Sequence, residues 1–539
     1  MNVVKTLKRL GILMALAAGS LHPAAGAAAD PREIIAASCG GCHAPDGQGG
    51  WVRISDQRKT PEGWQMTLVR MGMVHDAKLV DPAGGDSSAA MRTLVKYFAD
   101  TLGLAPAESA PYRYILEQEL NTVEEHPTEA FATMCARCHS GARVGLQRRT
   151  EEEWRHLVHF HLGQFPTTEY QMMGRDRDWL PIALNDMVPY LAEHLPLQSA
   201  DWEQWVAAPK PSLEGRWRVV GTMPGKGPFS GVMLAAREDG DSYSVDLSGS
   251  FLDGEVLSGK GKGIVYTGYE WRATLDLNGG KYRQVLAASS DGSELRGRMF
   301  DRERPEWGLR MTATRGAGKA RLLAAQPGQL QAGAEAELRL VGTDLAGEVQ
   351  LGKGLRVVKE LARGPEEITV LVAAEESVAM GPRAITVGGA RLDDALTVFS
   401  KIDRVAVEPA FAVARVGGDG GSQPVVEAMF DAVAWHDGAD GKAGTEDDMR
   451  IGPVSAAWSV EPFNAQSEND QDVRFAGQMD KDSGVFTPAA AGPNPERKYQ
   501  TNNAGNLKVV ATVGEGEGEI RGEGQLIVTV QRWNNPPIR

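Results

Sequence analysis

The sequence predicts a multidomain chain: an N-terminal all-α domain followed by three all-β domains, built as an antiparallel barrel and immunoglobulin-like sandwiches. Three observations carry this expectation. Residues 30–205 run through one helical pattern twice. Beyond residue 210 the chain turns to short runs alternating apolar and polar residues, punctuated by glycine and Asp-Gly. A length of 539 residues also exceeds what a single hydrophobic core serves.

The chain opens with a leader. Lys5, Lys8 and Arg9 precede a short apolar run, Leu10 to Ala18, and small residues follow up to Ala29. Residues 1–29 read as a secretory signal peptide, since the apolar run is too short to cross a bilayer. No later segment approaches a transmembrane length, so the expectation is a soluble periplasmic chain with no membrane partner. Acidic residues outnumber basic ones by 71 to 57, a formal charge of −14, or −17 once Lys5, Lys8 and Arg9 are removed. That balance argues against nucleic acid and for a basic or neutral partner.

Residues 30–205 hold the chemistry. Cys39-Gly40-Gly41-Cys42-His43 and Cys135-Ala136-Arg137-Cys138-His139 are two copies of C-x-x-C-H and use all four cysteines. Two thiols about one helical turn apart add to the two vinyl groups of a porphyrin, and the next histidine supplies an axial nitrogen. Cys39, Cys42, Cys135 and Cys138 are thus expected to bind two covalent haem c groups, with His43 and His139 on the irons. Zinc binding and disulfides are the competing uses of such pairs. Eight of the nine histidines after the leader lie between His43 and His194, which confines the iron ligands to this domain.

The domain is an internal repeat. Thr60-Pro61-Glu62-Gly63-Trp64 matches Thr150-Glu151-Glu152-Glu153-Trp154, and both read as helix starts with threonine as N-cap. Proline at the first helical position supports one copy, and a capping box through Glu153 supports the other. Leu94 to Ala99 matches Met187 to Ala192 as a second helix in each copy. This is the layout of a small cytochrome c written twice, a dihaem domain. Seven residues past each tryptophan stand Met71 and His161, on the face shared by positions i, i+3, i+4 and i+7. They are the expected sixth ligands, giving His43/Met71 and His139/His161. The rivals are Met73, His75 and Met91 for the first iron, and His156, His159, Met172 and Met173 for the second.

The β domains follow. Residues 210–316, beginning with Gly215 to Val220, read as an antiparallel barrel. Residues 317–400, with Glu367 to Val372, have the length of a small immunoglobulin-like sandwich, and 401–539 read as a larger one. The acidic stretch Asp437 to Asp448 spaces oxygen ligands like a calcium loop but departs from the EF-hand pattern. It reads as a solvated hairpin and is not assigned a metal.

Several segments together resemble one family. They are Cys135 to Ser140, Arg148-Arg149-Thr150 with Glu153-Trp154, Pro166 to Gln171 and Pro111 to Glu117, set in a leader, a dihaem domain and three β domains. The chain resembles the α subunit of quinohemoprotein amine dehydrogenase throughout. The resemblance implies a heterotrimer with a β-propeller subunit and a small γ subunit. The γ subunit would carry a cysteine tryptophylquinone that oxidises primary amines. The α chain would accept the electrons and pass them to a soluble carrier, a cytochrome c or a cupredoxin, with no catalytic residue of its own. A stand-alone dihaem electron carrier and a dihaem peroxidase are the competing functions.

Overall fold

The computed structural model of the chain describes residues 30–165, 177–316, 318–418, 423–514 and 518–531. The leader, the Pro166–Gln171 segment, Met172 and Met173 lie outside the described residues. Among the described residues no helix is long and apolar enough to cross a membrane.

The N-terminal domain runs α1 (Pro31–Cys39), β1 (Gln57–Lys59), α2 (Pro61–His75), α3 (Ser87–Thr101), α4 (Pro106–Ser109), α5 (Arg113–Leu116), α6 (Glu129–Cys135), α7 (Ala142–Gly145), β2 (Gln147–Arg149) and α8 (Glu151–Gln164). Helices over Trp179–Ile182, Val188–His194 and Ala200–Ala207 follow. The all-α expectation is overturned here. Most of these helices are short, helix makes up only about 23% of the chain, and the domain contains a β-ribbon. In the ribbon, β1 pairs antiparallel with β2, Arg58 opposite Arg148. The physical reason is burial. Arg58, Lys59, Arg148 and Arg149 are each at most 6% exposed, so their backbone N–H and C=O groups need partners other than water. Each strand runs straight into the threonine that caps its tryptophan helix, and the two copies supply each other's partners.

Both caps form. The Thr60 and Thr150 hydroxyls accept the N–H groups of Gly63 and Glu153 at 3.2 Å. The capping box expected at Glu153 does not close. The Thr150 N–H donates to the Asp56 carbonyl, and the Glu153 carboxylate turns to Arg53 at 2.6 Å and Arg149 at 3.5 Å. A charged donor holds a carboxylate more strongly than a neutral amide does.

Each copy has its own core. Trp64 packs with Ile34, Ile35, Leu94 and Phe98, and Trp154 packs with Phe131, Met187, Val188 and Leu191. Lys59 lies over the Trp64 ring at 5.1 Å and Arg149 over the Trp154 ring at 5.5 Å, an equivalent contact in each copy. The second helix of the second copy is interrupted. A π-turn over Ala183–Met187 precedes Val188–His194, with Pro189 in its first turn.

The next unit is a closed eight-stranded antiparallel barrel: β3 (Gly215–Met223), β4 (Gly227–Asp239), β5 (Ser242–Phe251), β6 (Val256–Tyr266), β7 (Glu270–Leu277), β8 (Gly280–Ala288), β9 (Glu294–Asp301) and β10 (Gly308–Arg315). Consecutive strands pair and β10 returns to β3, which removes both sheet edges. The interior is filled by side chains including Trp217, Phe229, Tyr243 and Trp271. Gly263 on β6 makes room for one of them, since a Cβ there would stand 2.8 Å from the Trp271 ring. The Ala200–Ala207 helix adds Trp202 and Trp205 to the same core.

The N-terminal domain is fixed to this barrel. Leu104, Leu116 and Leu146 meet Val285 and Phe300. Beside them runs a buried chain of charges. Glu62 pairs with Arg272 at 2.6 Å, Arg272 with Glu270 at 2.7 Å, and Glu270 with Arg113 at 2.8 Å.

Two four-stranded sheets between Arg321 and Phe399 then face each other across one core containing Leu338, Val370, Ile385 and Leu396. From Arg404 onward one four-stranded and two three-stranded sheets surround a core with Phe430, Phe486, Leu507 and Leu526. The acidic stretch joins the Asp431–His436 and Met449–Val454 strands, and Arg404 holds Asp437 and Asp448 together across it.

Candidate functional site

Both C-x-x-C-H segments follow a short capped helix. In α1 the Asp30 carboxylate accepts the Arg32 N–H at 2.9 Å, and in α6 the Thr128 hydroxyl accepts the Phe131 N–H at 3.0 Å. In the first copy the chain continues for one more turn, with the Cys42 and His43 N–H groups donating to the Cys39 carbonyl at 3.1 and 2.9 Å. Cys39 and Cys135 are half-buried, Cys42 and Cys138 are exposed, and none is in a disulfide. Burial raises the Cys39 thiol, with Cys42 adding, and pushes the Cys135 thiol up to about 12. Among the described residues no group of three or more histidine, cysteine or acidic side chains is arranged to hold a metal ion. The four-ligand assembly that a structural zinc needs is not formed there.

The histidines share one arrangement. The Nδ1 of His43 faces the Val52 carbonyl at 3.0 Å, that of His139 the Ser140 carbonyl at 2.9 Å, and that of His161 the Leu157 carbonyl at 2.7 Å. A carbonyl can only accept, so Nδ1 carries the proton and the lone pair is on Nε2. This is the tautomer a metal-ligating imidazole needs. His161 stands beside Phe165 and Trp179, at 5.4 and 6.4 Å between ring centroids. Burial lowers the pKa of His139, and the charges of Arg143 and His161 lower it further, so His139 and His161 are electrostatic neighbours.

The rivals are placed differently. His156 is held by Glu153 at 2.9 Å, and His159 is exposed. Met73 is 71% exposed and His75 is exposed, whereas Met71 is half-buried in the last turn of α2. Met91 is also half-buried and packs on the first core together with Cys39, so the first site holds two thioethers within the domain.

Residues that the motifs did not indicate complete the surroundings. Glu124 accepts from the Ser140 hydroxyl and, at 2.8 Å, from the Gly141 N–H, fixing the loop behind His139. Glu108 lies between the two copies. It receives Arg58 at 2.8 Å and Arg148 at 3.1 Å, the two arginines that face each other in the ribbon. Burial opposes its charge, but the hydrogen bond from Arg58 and the charges of Arg148 and Arg58 outweigh it and lower its pKa. Lys59 is buried with its Nζ on the Thr67 hydroxyl at 2.7 Å, and burial, reinforced by Arg149 and Arg70, puts its pKa well below the ordinary 10.5. A repeated tetrapeptide, Gln57-Arg58-Lys59-Thr60 and Gln147-Arg148-Arg149-Thr150, was the available signal for the ribbon.

The residues fit a covalently held porphyrin. Two unbridged pairs of thiols each precede a histidine whose Nδ1 proton is already committed, and His161 lies within electrostatic reach of His139.

Comparison with known proteins covers nearly the whole chain. The haem-binding model of the quinohemoprotein amine dehydrogenase alpha subunit matches residues 29–202. The models of that subunit's domains II, III and IV match 210–316, 319–400 and 405–538. No curated protein matches. Among solved structures, a redesigned β-barrel bound to DFHBI is similar at 20% identity, covering 19% of this chain and 94% of that one, with a TM-score of 0.18. A mixed-linkage glucan utilisation protein of Bacteroides ovatus, in complex with a heptasaccharide, is similar at 11% identity over 59% of this chain and 68% of that one, with a TM-score of 0.20. These structural likenesses are too slight to carry any argument. The four family models follow one another in the order of the domains, and the chain belongs to the quinohemoprotein amine dehydrogenase alpha subunit family.

Proposed function

We propose that this chain is the electron-transfer subunit of a periplasmic amine dehydrogenase. It binds two haem c groups covalently, through Cys39 and Cys42 and through Cys135 and Cys138. His43 and Met71 would hold the iron of the first, and His139 and His161 that of the second. When bound, each haem supplies one reversible electron. The chain's own residues do the rest: the thiols fix each group, the backbone carbonyls of Val52, Ser140 and Leu157 orient the imidazoles, and the two copies are held in register by the ribbon.

Electrons come from a cysteine tryptophylquinone on a small γ subunit, where primary amines are oxidised, and leave to a soluble cytochrome c or cupredoxin. A β-propeller subunit completes the heterotrimer. The three β domains serve as scaffold and subunit contact. The leader read at residues 1–29 supports a periplasmic location, where haem c is attached. The observation that carries this reading is the pair of C-x-x-C-H turns, each with a histidine oriented through Nδ1, within a chain matched over nearly all of residues 29–538 by one subunit's family models.

The test has two parts. Mass spectrometry of the acid-denatured chain is expected to show two haem additions, and the mass of the bare polypeptide would end the reading. A primary amine added to the isolated chain is expected to leave its spectrum oxidised, because every cysteine is committed and no carbonyl electrophile remains. The same amine added to the complete complex is expected to reduce it. Amine-driven reduction of the isolated chain would overturn the division of labour.

A further inference from the structure

The histidines of the two pentapeptides are oriented by different means. At the first site the acceptor loop closes on itself. The Val52 carbonyl faces His43, and the Val52 N–H donates to the Ala44 carbonyl at 2.9 Å. At the second site the Ser140 carbonyl that faces His139 is backed by a residue from a separate stretch. Glu124 accepts from the Ser140 hydroxyl and, at 2.8 Å, from the Gly141 N–H. The Ser140 hydroxyl accepts in turn from the Ala142 N–H at 3.1 Å, and His126 Nε2 stands 3.8 Å from the Glu124 carboxylate.

Glu124 has no helix or strand of its own to place it, since residues 117–128 join α5 to α6 without either. A carboxylate on a loose loop aims nothing precisely. Other domains pin the stretch instead. Arg298 on β9, 7% exposed, donates through one nitrogen to the Glu117 and Gln118 carbonyls at 3.0 and 2.9 Å. Its other terminal nitrogen donates to the Glu306 carbonyl at 3.0 Å, in the β9–β10 loop. Gly308 leaves room for that guanidinium, because a Cβ there would stand 2.2 Å from it. Gln118 is held left-handed, at a φ of 55°. A side chain other than glycine keeps that conformation only where its surroundings impose it. The Asn121 side-chain carbonyl then accepts the Val413 N–H at 3.2 Å, from the Phe411–Arg415 strand of the C-terminal domain. Arg310 also reaches Glu119 at 2.8 Å, but it is 75% exposed and adds little.

We propose that residues 117–124 are a strap through which the barrel and the C-terminal domain set the histidine of the second haem site. Arg298, Asn121 and Glu124 are its positioning residues, and they act on His139 through Ser140. The inference rests on the haem attachment proposed above, and it gives the β domains a part beyond scaffold and subunit contact. A firmly held Ser140 carbonyl with a carboxylate behind it makes the His139 imidazole a better donor and favours the oxidised iron. Loosening the strap therefore raises the potential of the second haem. The first site, whose loop closes on itself, responds less.

The experiment uses the full-length haem-loaded chain. Haem additions are counted first, by mass, in the wild type and in Arg298→Lys, Asn121→Ala and Glu124→Ala. Midpoint potentials are then taken by spectroelectrochemistry, with the methionine-to-iron band marking the first haem. Amide hydrogen exchange is compared at Gly141, whose acceptor is Glu124, and at Val52. Each variant is expected to raise the potential of the second haem more than that of the first. Each is also expected to speed exchange at Gly141 several-fold and to leave Val52 unchanged. Arg298→Lys keeps the charge, so its response reports the lost bonds and not the field. Should Arg298→Lys fail to accumulate, Asn121→Ala, which gives up one contact at the other anchor, carries the same expectation. Wild-type potentials, both potentials moved alike, or unchanged exchange at Gly141 would overturn the strap while leaving the attachment intact. A wild-type chain without haem would instead remove the attachment, and exchange at Gly141 would then decide the strap by itself.

Discussion

Replacing Glu62 with glutamine is expected to loosen the N-terminal domain from the barrel in a pH-dependent way. The Glu62 side chain is 10% exposed and that of Arg272 is 3% exposed, with N···O distances of 2.6 and 3.2 Å. Burial works against the Glu62 charge, but Arg272 and then Arg283 outweigh it and bring its pKa from the ordinary 4.5 to about 2. At about 1.4 kcal/mol per pH unit, that difference is about 3 kcal/mol of stabilisation. A carboxylate with a lowered folded-state pKa contributes fully above its unfolded value and loses that contribution as the pH falls toward the folded one. The window is therefore from 4.5 down to about 2. Arg272 keeps Glu270 at 2.7 Å in the variant, whereas Arg283, 3.6 Å from Glu62, loses that carboxylate, so the loss should be no smaller than this figure. Hydrogen exchange, converted to local opening free energies for α2 and β7, measures it. At pH 7 the variant is expected to open more easily by about 3 kcal/mol, a few hundred-fold in exchange rate, and the gap is expected to shrink at pH 3. A gap below about 1 kcal/mol at pH 7, or one that does not change with pH, would refute the reasoning.

Three further outcomes follow from particular contacts. Glu108→Gln leaves Arg58 and Arg148 buried without a counter-charge and is expected to destabilise the N-terminal domain by about 3–5 kcal/mol in thermal unfolding. Trp205→Ala removes a side chain 7% exposed on the barrel core, together with its hydrogen bond to the Thr267 carbonyl at 2.8 Å, and is expected to cost about 3–5 kcal/mol in denaturant unfolding. Met71→Ala is expected to abolish the weak methionine-to-iron band at the red edge of the oxidised spectrum, which His161→Ala should preserve. Survival of the band in Met71→Ala would shift the ligand to Met91 or Met73.

The sequence carried the local features well and the long-range ones poorly. The threonine caps and tryptophan helices were legible because a cap is a contact across three residues, and Thr60 and Thr150 stand at matching offsets from Trp64 and Trp154. The β-ribbon was not, because its strands are three residues long and wholly polar, with no alternation to detect. Only the repetition of Gln-Arg-Lys-Thr as Gln-Arg-Arg-Thr hinted that the two segments meet. Glu153 satisfied the local pattern of a capping box, but Arg53, a hundred residues away, competed for it and won. At the candidate site the pentapeptides and the Met71 and His161 offsets came from spacing. The carbonyls of Val52 and Ser140, and Glu124 behind the second loop, depend on loop geometry that spacing does not encode.

The way the two copies are joined bears on why the domain tolerates so much buried charge. Each copy has a core of only a few large side chains around one tryptophan, and cores that small are marginal by themselves. Apolar packing between the copies would hold them together but leave their relative rotation loosely fixed, because apolar contact has no direction. Arg58 and Arg148 converging on Glu108 do fix it, since each guanidinium accepts a carboxylate only in the plane of its fork. Arg272 and Arg113, gripping Glu62 and Glu270 beside the barrel, fix the domain in the same directional way. Burying those ions gains little stability against an apolar alternative. What the arrangement secures is a set distance and angle between the two candidate haem sites, which the electron relay proposed above needs more than it needs extra stability.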